Sequence, residues 1–284
     1  MIPSELRQAA LYWLAECDAE HKASGVRRLA LAWAAGELVL DTDAVLSTTP
    51  VSPGHPVKPE LVSPLTVQRR AMNTPEGRAA MIHALVHIEF NAINLALDAL
   101  WRFPNMPCGY YADWLRIADE EALHFTLLSD HLQTQGFAYG DFTAHNGLWD
   151  MAVRTQHDVL ERMALLPRTM EARGLDVVPG MRAKLMQAGD SAIGPILDIV
   201  LRDEIGHVSI GNHWFNHLCA QRGLEPDATY AAFVSSHNAV PHRGPFNLEA
   251  RRAAGFSEQE LARLGSGKGG ASKAMTVKQE SRNE

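Results

Sequence analysis

A chain of 284 residues, 46% hydrophobic and 21% charged, can bury one large core or two small ones. Its formal net charge of −7 argues against a general nucleic-acid surface, which would be basic. Its three cysteines, Cys17, Cys108 and Cys219, are far apart and form no CxxC pair, which excludes a disulfide framework and points to a reducing compartment.

The N-terminal "MIPSELRQAA" lacks the basic-then-apolar layout of a signal peptide. The most apolar run, "LALAWAAGELVL", is about half the length of a bilayer span and contains Glu37. A soluble cytoplasmic protein with no membrane partner is expected. Residues 3–35 read as one or two amphipathic helices. Residues 41–66 hold five prolines and little periodicity, so an extended segment wrapping over a core is expected. No strand-like alternation stands out, and the fold class is all-α.

Thr74 is a fitting N-cap, with Pro75 at the first helical position, for a long helix ending near Phe103. Glu89 sits four residues from both Leu85 and Ile93, inside its apolar stripe. A second helix is predicted over about 110–135, closing at Gly136 and carrying Glu121 and His124. A third begins near Leu148, with a kink expected at Pro167 and a break at Gly174. A short helical piece, "GMRAKLMQ", then leads to the turn "AGDS". A fourth helix is predicted over about 191–220, with Glu204 and His207 on one face with Ile196, Val200 and Trp214. The Gly/Ser/Lys-rich tail is expected to be disordered.

Glu-x-x-His on a helix puts both side chains on one face, where both can ligate one metal. A single such pair is ordinarily a solvated face. Here two pairs, Glu121/His124 and Glu204/His207, lie inside apolar stripes, with Glu89 in a third. Di-iron carboxylate bundles use two such pairs plus one Glu from each of two further helices. Four buried carboxylates would cost several kcal/mol each without partners, and two divalent cations would offset them. The fourth Glu, on helix three, is Glu171 or Glu161. Glu89 and Glu121 are 32 residues apart across one hairpin, and Glu171 and Glu204 are 33 apart across the next, which favours Glu171. Glu161, nearer the helix middle, stays open as the alternative. His157 is a candidate for the layer behind the ligands. Asp203, beside Glu204, is read as an acid behind the ligands or at the surface. His83 and His87, four apart, could pair on a metal, but His87 faces away from Glu89. No G-x-S-x-G, P-loop, G-x-G-x-x-G or H-E-x-x-H motif is present.

The stretches "HIEFNAINLALDALWRFP", "DEEALHFTLL", "PRTMEARGLDVVPGM" and "RDEIGHVSIGNHWF" resemble the ferritin-like superfamily, and most closely a bacterial family of ferritin-like proteins of unknown function. The resemblance spans about residues 25–262. It implies a ferritin-like four-helix bundle at 71–222. The helices and Pro-rich wrap of 1–70 would pack on it, followed by a C-terminal extension at 223–262 and a tail at 263–284. It also implies a di-metal site, and "EARGLD" favours Glu171. A more distant likeness is to the tRNA-modifying di-iron hydroxylase, which shares the Glu, Glu-x-x-His, Glu, Glu-x-x-His order. The expected ligands are Glu89, Glu121, His124, Glu171, Glu204 and His207, holding two divalent ions, iron or manganese or one of each. The expected function is O2-activating oxidation of a small organic substrate, with an electron donor as a further partner. Iron handling and a non-catalytic scaffold are the alternatives.

Overall fold

The computed structural model describes residues 2–46, 52–68, 70–239 and 244–266. Among these the regular structure is entirely helical, apart from two isolated bridges, Glu5 with Val39 and Leu61 with Ala144. Helix α1 spans Leu6–Leu14 and α2 spans Ala19–Ala34. The long α3, Pro75–Arg102, starts where Thr74 accepts a hydrogen bond from Gly77 N at 3.0 Å. The short turn after Phe103 folds the chain back into α4, Cys108–Thr134. After α5, Gly147–Arg154, come α6, Val159–Leu165, and then α7, Ala172–Gln187. Helix α8, Ile193–Arg222, is followed by three short helices: α9, Pro226–Ser236, α10, Leu248–Ala253, and α11, Glu258–Gly265.

The segment predicted as one kinked helix from Leu148 departs from expectation. The chain breaks earlier, at 155–158, where Asp158 caps α6 through Leu160 N. At Pro167 there is a π-helical stretch, Leu166–Glu171, instead of a simple kink. Proline lacks an N–H, and the wider π turn absorbs that gap without ending the helix. Gly174 does not break the chain either. Helix α7 runs through both Gly174 and Pro179 to Gln187, so "GMRAKLMQ" belongs to it. Helix α11 extends past the expected start of the tail, and residues 267–284 lie outside the described residues.

Helices α3 and α4 form one hairpin, α7 and α8 another, and α4 packs against α8 to join them. Helix α3 is the one described helix long and apolar enough to cross a membrane. Since 78% of its apolar window is buried within the fold, it is a core helix here. Helix α1 lies against α3, and α2 against α4. Arg7, buried, anchors the following loop by donating to the carbonyls of Asp41, Thr42 and Ala44, and ties it to Trp101 O on α3. The extended segment at 52–68 is tied down by Gly54 N to Leu14 O (2.8 Å) and Val62 N to Ala144 O (2.8 Å). At the C-terminal end, buried Arg251 pairs with Asp176 of α7 at 2.7 Å. Buried Arg168 of the π segment bonds Asn212 of α8 and Glu260 of α11.

Candidate metal centre

The α4–α8 contact brings the two Glu-x-x-His pairs face to face. Helix α3 adds Glu89 from one side, and the last residue of the π segment, Glu171, reaches the cluster from helix three. Glu89, Glu121, His124 and Glu204 each offer one ligand atom, and these four atoms lie within 4.8 Å of one another. His124 Nδ1 is 3.5 Å from Glu89 Oε2 and 3.4 Å from Glu121 Oε2. His207 Nδ1 is 3.0 Å from Glu121 Oε1 and 4.0 Å from Glu204 Oε1. Glu121 therefore lies between the two imidazoles. A Cβ on Gly174 would sit 3.9 Å from the Glu204 carboxyl carbon, which places the start of α7 directly over that group.

Each imidazole turns its other nitrogen outward to an acid on the opposite helix. His124 Nε2 bonds Asp203 Oδ2 of α8 at 3.1 Å, and His207 Nε2 bonds Glu120 Oε2 of α4 at 2.8 Å. Asp203 and Glu120 immediately precede Glu204 and Glu121, so the two motifs, "EEALH" and "DEIGH", clamp each other's histidines. Each Nε2 donates to its acid, and Nδ1 is turned into the cluster. Sequence reasoning missed Glu120. The signal was present, an acid before the Glu in both motifs.

Six side-chain atoms here, Glu89 Oε2, Glu121 Oε2, His124 Nδ1, Glu171 Oε2, Glu204 Oε2 and His207 Nδ1, are buried without a hydrogen bond. Buried polar atoms are paired in the great majority of cases, so six in one cluster call for a shared partner. The electrostatics agree. Burial, and then the neighbouring Glu121 charge, pushes Glu89 up to about 8 and Glu171 up to about 7. The same two causes hold Glu204 well above the usual carboxylate range. Burial also opposes ionisation of Glu121, but His207 and His124 outweigh it and hold the group below its ordinary value. Burial opposes charge on both imidazoles, yet the surrounding acids raise them well above the ordinary histidine value. Without a cation, the cluster balances its charge with protons.

The other sequence candidates lie elsewhere. Glu161 pairs with His157 (3.2 Å) and His237 (3.0 Å), and the His157 side chain is 64% exposed, so it does not stand behind the ligands. Asp203 stands behind His124, as described. His83 accepts from Gly140 N at 2.9 Å, and His87 bonds Tyr139 OH at 2.9 Å and His145 O at 3.0 Å. Burial lowers both histidines to about 4, and they stay neutral.

Glu171 owes its position to the π turn. At Gly211 of α8, an added Cβ would lie 2.4 Å from Pro167 Cβ. Only a glycine lets the π segment approach α8 this closely.

These features define a buried carboxylate–histidine cluster inside an all-helical protein. The chain belongs to the DUF455 family, described as protein of unknown function, whose family model matches residues 15–262. It is similar to an uncharacterized protein of Haemophilus influenzae (strain ATCC 51907 / DSM 11121 / KW20 / Rd), 50% identical over 213 residues that cover 72% of this chain and 74% of that one. No solved structure matches it.

Proposed function

We propose that the chain is a ferritin-like di-metal carboxylate protein, and that it is an oxidoreductase using O2 to oxidise a small organic substrate. The observation that carries the reading is the set of six buried ligand atoms on α3, α4, the π segment and α8 that face one another without a hydrogen bond. The donor set is rich in carboxylates, with two imidazoles. The protein's cysteines do not belong to it: Cys17 and Cys108 are exposed, and buried Cys219 lies three turns beyond His207 on α8. Hard oxygen donors with imidazole suit iron and manganese.

Glu89, Glu121, His124 and Glu204 would hold one ion. Glu121 and Glu204, with His207 and Glu171, would hold the second. Two such ions supply the electrons and Lewis acidity that O2 reduction needs. The chain's own residues do the rest. Asp203 and Glu120 fix the imidazole orientation. Glu89, Glu171 and Glu204 accept or give up protons as the local charge changes. Burial of the cluster itself, with Glu89, Glu121, His124 and His207 each 3% exposed or less, excludes bulk water. The flanks of the helical core carry α1, α2 and α10, which favours an enclosed substrate site over a compact protomer of a storage shell.

The test is metal analysis of protein purified without chelator, then anaerobic ferrous loading and an O2 pulse followed by absorbance. About two metals per chain and rapid oxidation are expected in the parent. Glu121→Ala and Glu204→Ala are expected to lose both. Full O2 reactivity in both variants would remove the site, and assembly of the parent into a cage would favour iron storage.

A further inference from the structure

Two candidates that stay outside the cluster, His157 and Glu161, meet a third donor on another helix. Glu161 Oε2 lies 3.2 Å from His157 Nε2 and 3.0 Å from His237 Nε2. His157 stands in the turn before α6, Glu161 in the first turn of α6, and His237 at the C-terminal cap of α9. The packing of α9 on α6 brings Glu161 and His237 together across 76 positions of sequence. The group lies at the surface. The His157 side chain is 64% exposed, that of Glu161 18% and that of His237 13%.

Two imidazoles and a carboxylate are the donor set of an open zinc site, with three protein ligands and one free position. Ligands held at about 2.0–2.1 Å from a tetrahedral ion stand ~3.3 Å from one another. Both N···O separations here are within a few tenths of an ångström of that edge. The remaining edge, between the two imidazoles, is set by His157, whose exposed ring can turn toward His237. Neighbouring arginines are committed elsewhere. Arg222 forks onto Asp158 at 2.7 and 2.8 Å, and Arg154 donates to the His237 carbonyl. As hydrogen bonds alone, partly exposed imidazole–carboxylate pairs contribute little to stability, so folding does not require this convergence.

We propose that His157, Glu161 and His237 bind one zinc ion, with water in the remaining position. A site with two imidazoles holds zinc more tightly than manganese or ferrous iron, following the general affinity order of the divalent metals. The two centres therefore differ in kind. The buried cluster is rich in carboxylates and suits iron or manganese, and the surface group suits zinc. The ion links the start of α6 to the end of α9, so its binding stabilises the docking of the C-terminal extension. The site is separate from the cluster and does not rest on the function proposed above.

The test is calorimetric Zn2+ titration of chelator-treated protein, as the parent and as His157→Ala, His237→Ala and Glu161→Gln. Each variant is expected to bind one Zn2+ fewer per chain, or to hold that ion at least tenfold more weakly. Mn2+ titration, which reports on the cluster, is expected to be the same in all four proteins. Zn2+ is expected to raise the thermal midpoint of the parent more than that of the variants. His157 is exposed, so His157→Ala removes a ligand without disturbing packing. If the cluster binds no metal, the parent still takes up one Zn2+ that His157→Ala loses, which separates the failure of that reading from the failure of this one. No Zn2+ uptake by the parent, or equal uptake by the parent and all three variants, would overturn the inference and leave two plain hydrogen bonds. Loss of Mn2+ and Zn2+ together in the variants would also overturn it, since the three residues would then serve the cluster.

Discussion

Metal uptake by this protein should release protons, and the number follows from the cluster. Take metal-free protein at pH 6.5 and add Mn2+. Glu89, pushed up to about 8, carries a proton at that pH, and Glu204 is shifted in the same direction by burial and the Glu121 charge. Glu89 must lose its proton to become a ligand. Each proton displaced makes binding about tenfold tighter per pH unit, or ~1.4 kcal/mol. Glu89 alone therefore contributes about tenfold per pH unit, and Glu204 adds to it in the same direction. Glu171, at about 7, and the raised imidazoles steepen this further. Glu89 is 3% exposed, so solvent screening does not reduce its share.

The signs agree for every member of the cluster that gains a proton. A carboxyl raised from 4.5 to about 8 supports the metal-free fold in full below pH 4.5, and that support is lost as pH climbs to about 8. The raised histidines act in the same sense above their ordinary value of 6.5. Three groups outside the cluster act in the opposite sense: His83 and His87, lowered to about 4, and Lys22, lowered to about 7 mainly by burial. They are common to the loaded and metal-free forms, so they cancel in the difference. Calorimetric Mn2+ titration in buffers of differing ionisation enthalpy, between pH 6 and 7.5, counts the protons. The stability difference between loaded and chelated protein should widen with pH. Release of fewer than one proton per chain, or a difference flat in pH, would refute the charge balance drawn here.

Glu171→Ala should lose one metal or most of its affinity, while Glu161→Ala should titrate like the parent, with stability changed by no more than about 0.5 kcal/mol; the opposite result would mean that helix three supplies its ligand through Glu161. Asp203→Asn and Glu120→Gln should each lower metal affinity about 10–100-fold with helical content unchanged, and parent-like affinity in both would show that the imidazoles need no outer acid. Gly211→Ala should cost about 1–3 kcal/mol in denaturant unfolding, because its Cβ falls on Pro167, and should weaken metal binding through Glu171; a parent-like variant would mean the π segment moves freely.

What could be read from the sequence, and what could not, follows the physics of each element. Helices α3, α4 and α8 were legible because their apolar stripes are long, and two of their ends carry clear signals, Thr74-Pro75 at the start of α3 and Gly136 just after α4. Such stripes also fix which residues point inward, so Glu89 and the two Glu-x-x-His pairs could be placed on the core side before any coordinates. Helix three resisted the same treatment. Local preference predicts a kink at Pro167 and a break at Gly174, yet the helix passes both. Tertiary packing overrode local preference there: Gly211 of α8 makes room for Pro167, and Arg168 ties the π segment to α8 and α11. That information lies 40 to 90 residues away in the chain.

The reciprocal acids connect fold and site. Asp203 can reach His124, and Glu120 can reach His207, only if α4 and α8 pack in one register, because each acid and its target sit on different helices. Sliding one helix by a turn, about 5.4 Å, would break both bonds and leave two buried imidazoles unpaired, while Asp203 and Glu120 would keep Arg202 and Arg116 on their own helices. Each such group costs about 1–3 kcal/mol, a large part of the 5–15 kcal/mol that typically holds a domain together. The same pairs that aim Nδ1 into the cluster thus also penalise misregistered packing. The proposed ligands gain positional accuracy from these polar contacts one layer out, where the apolar stripes of α4 and α8 alone would tolerate slippage.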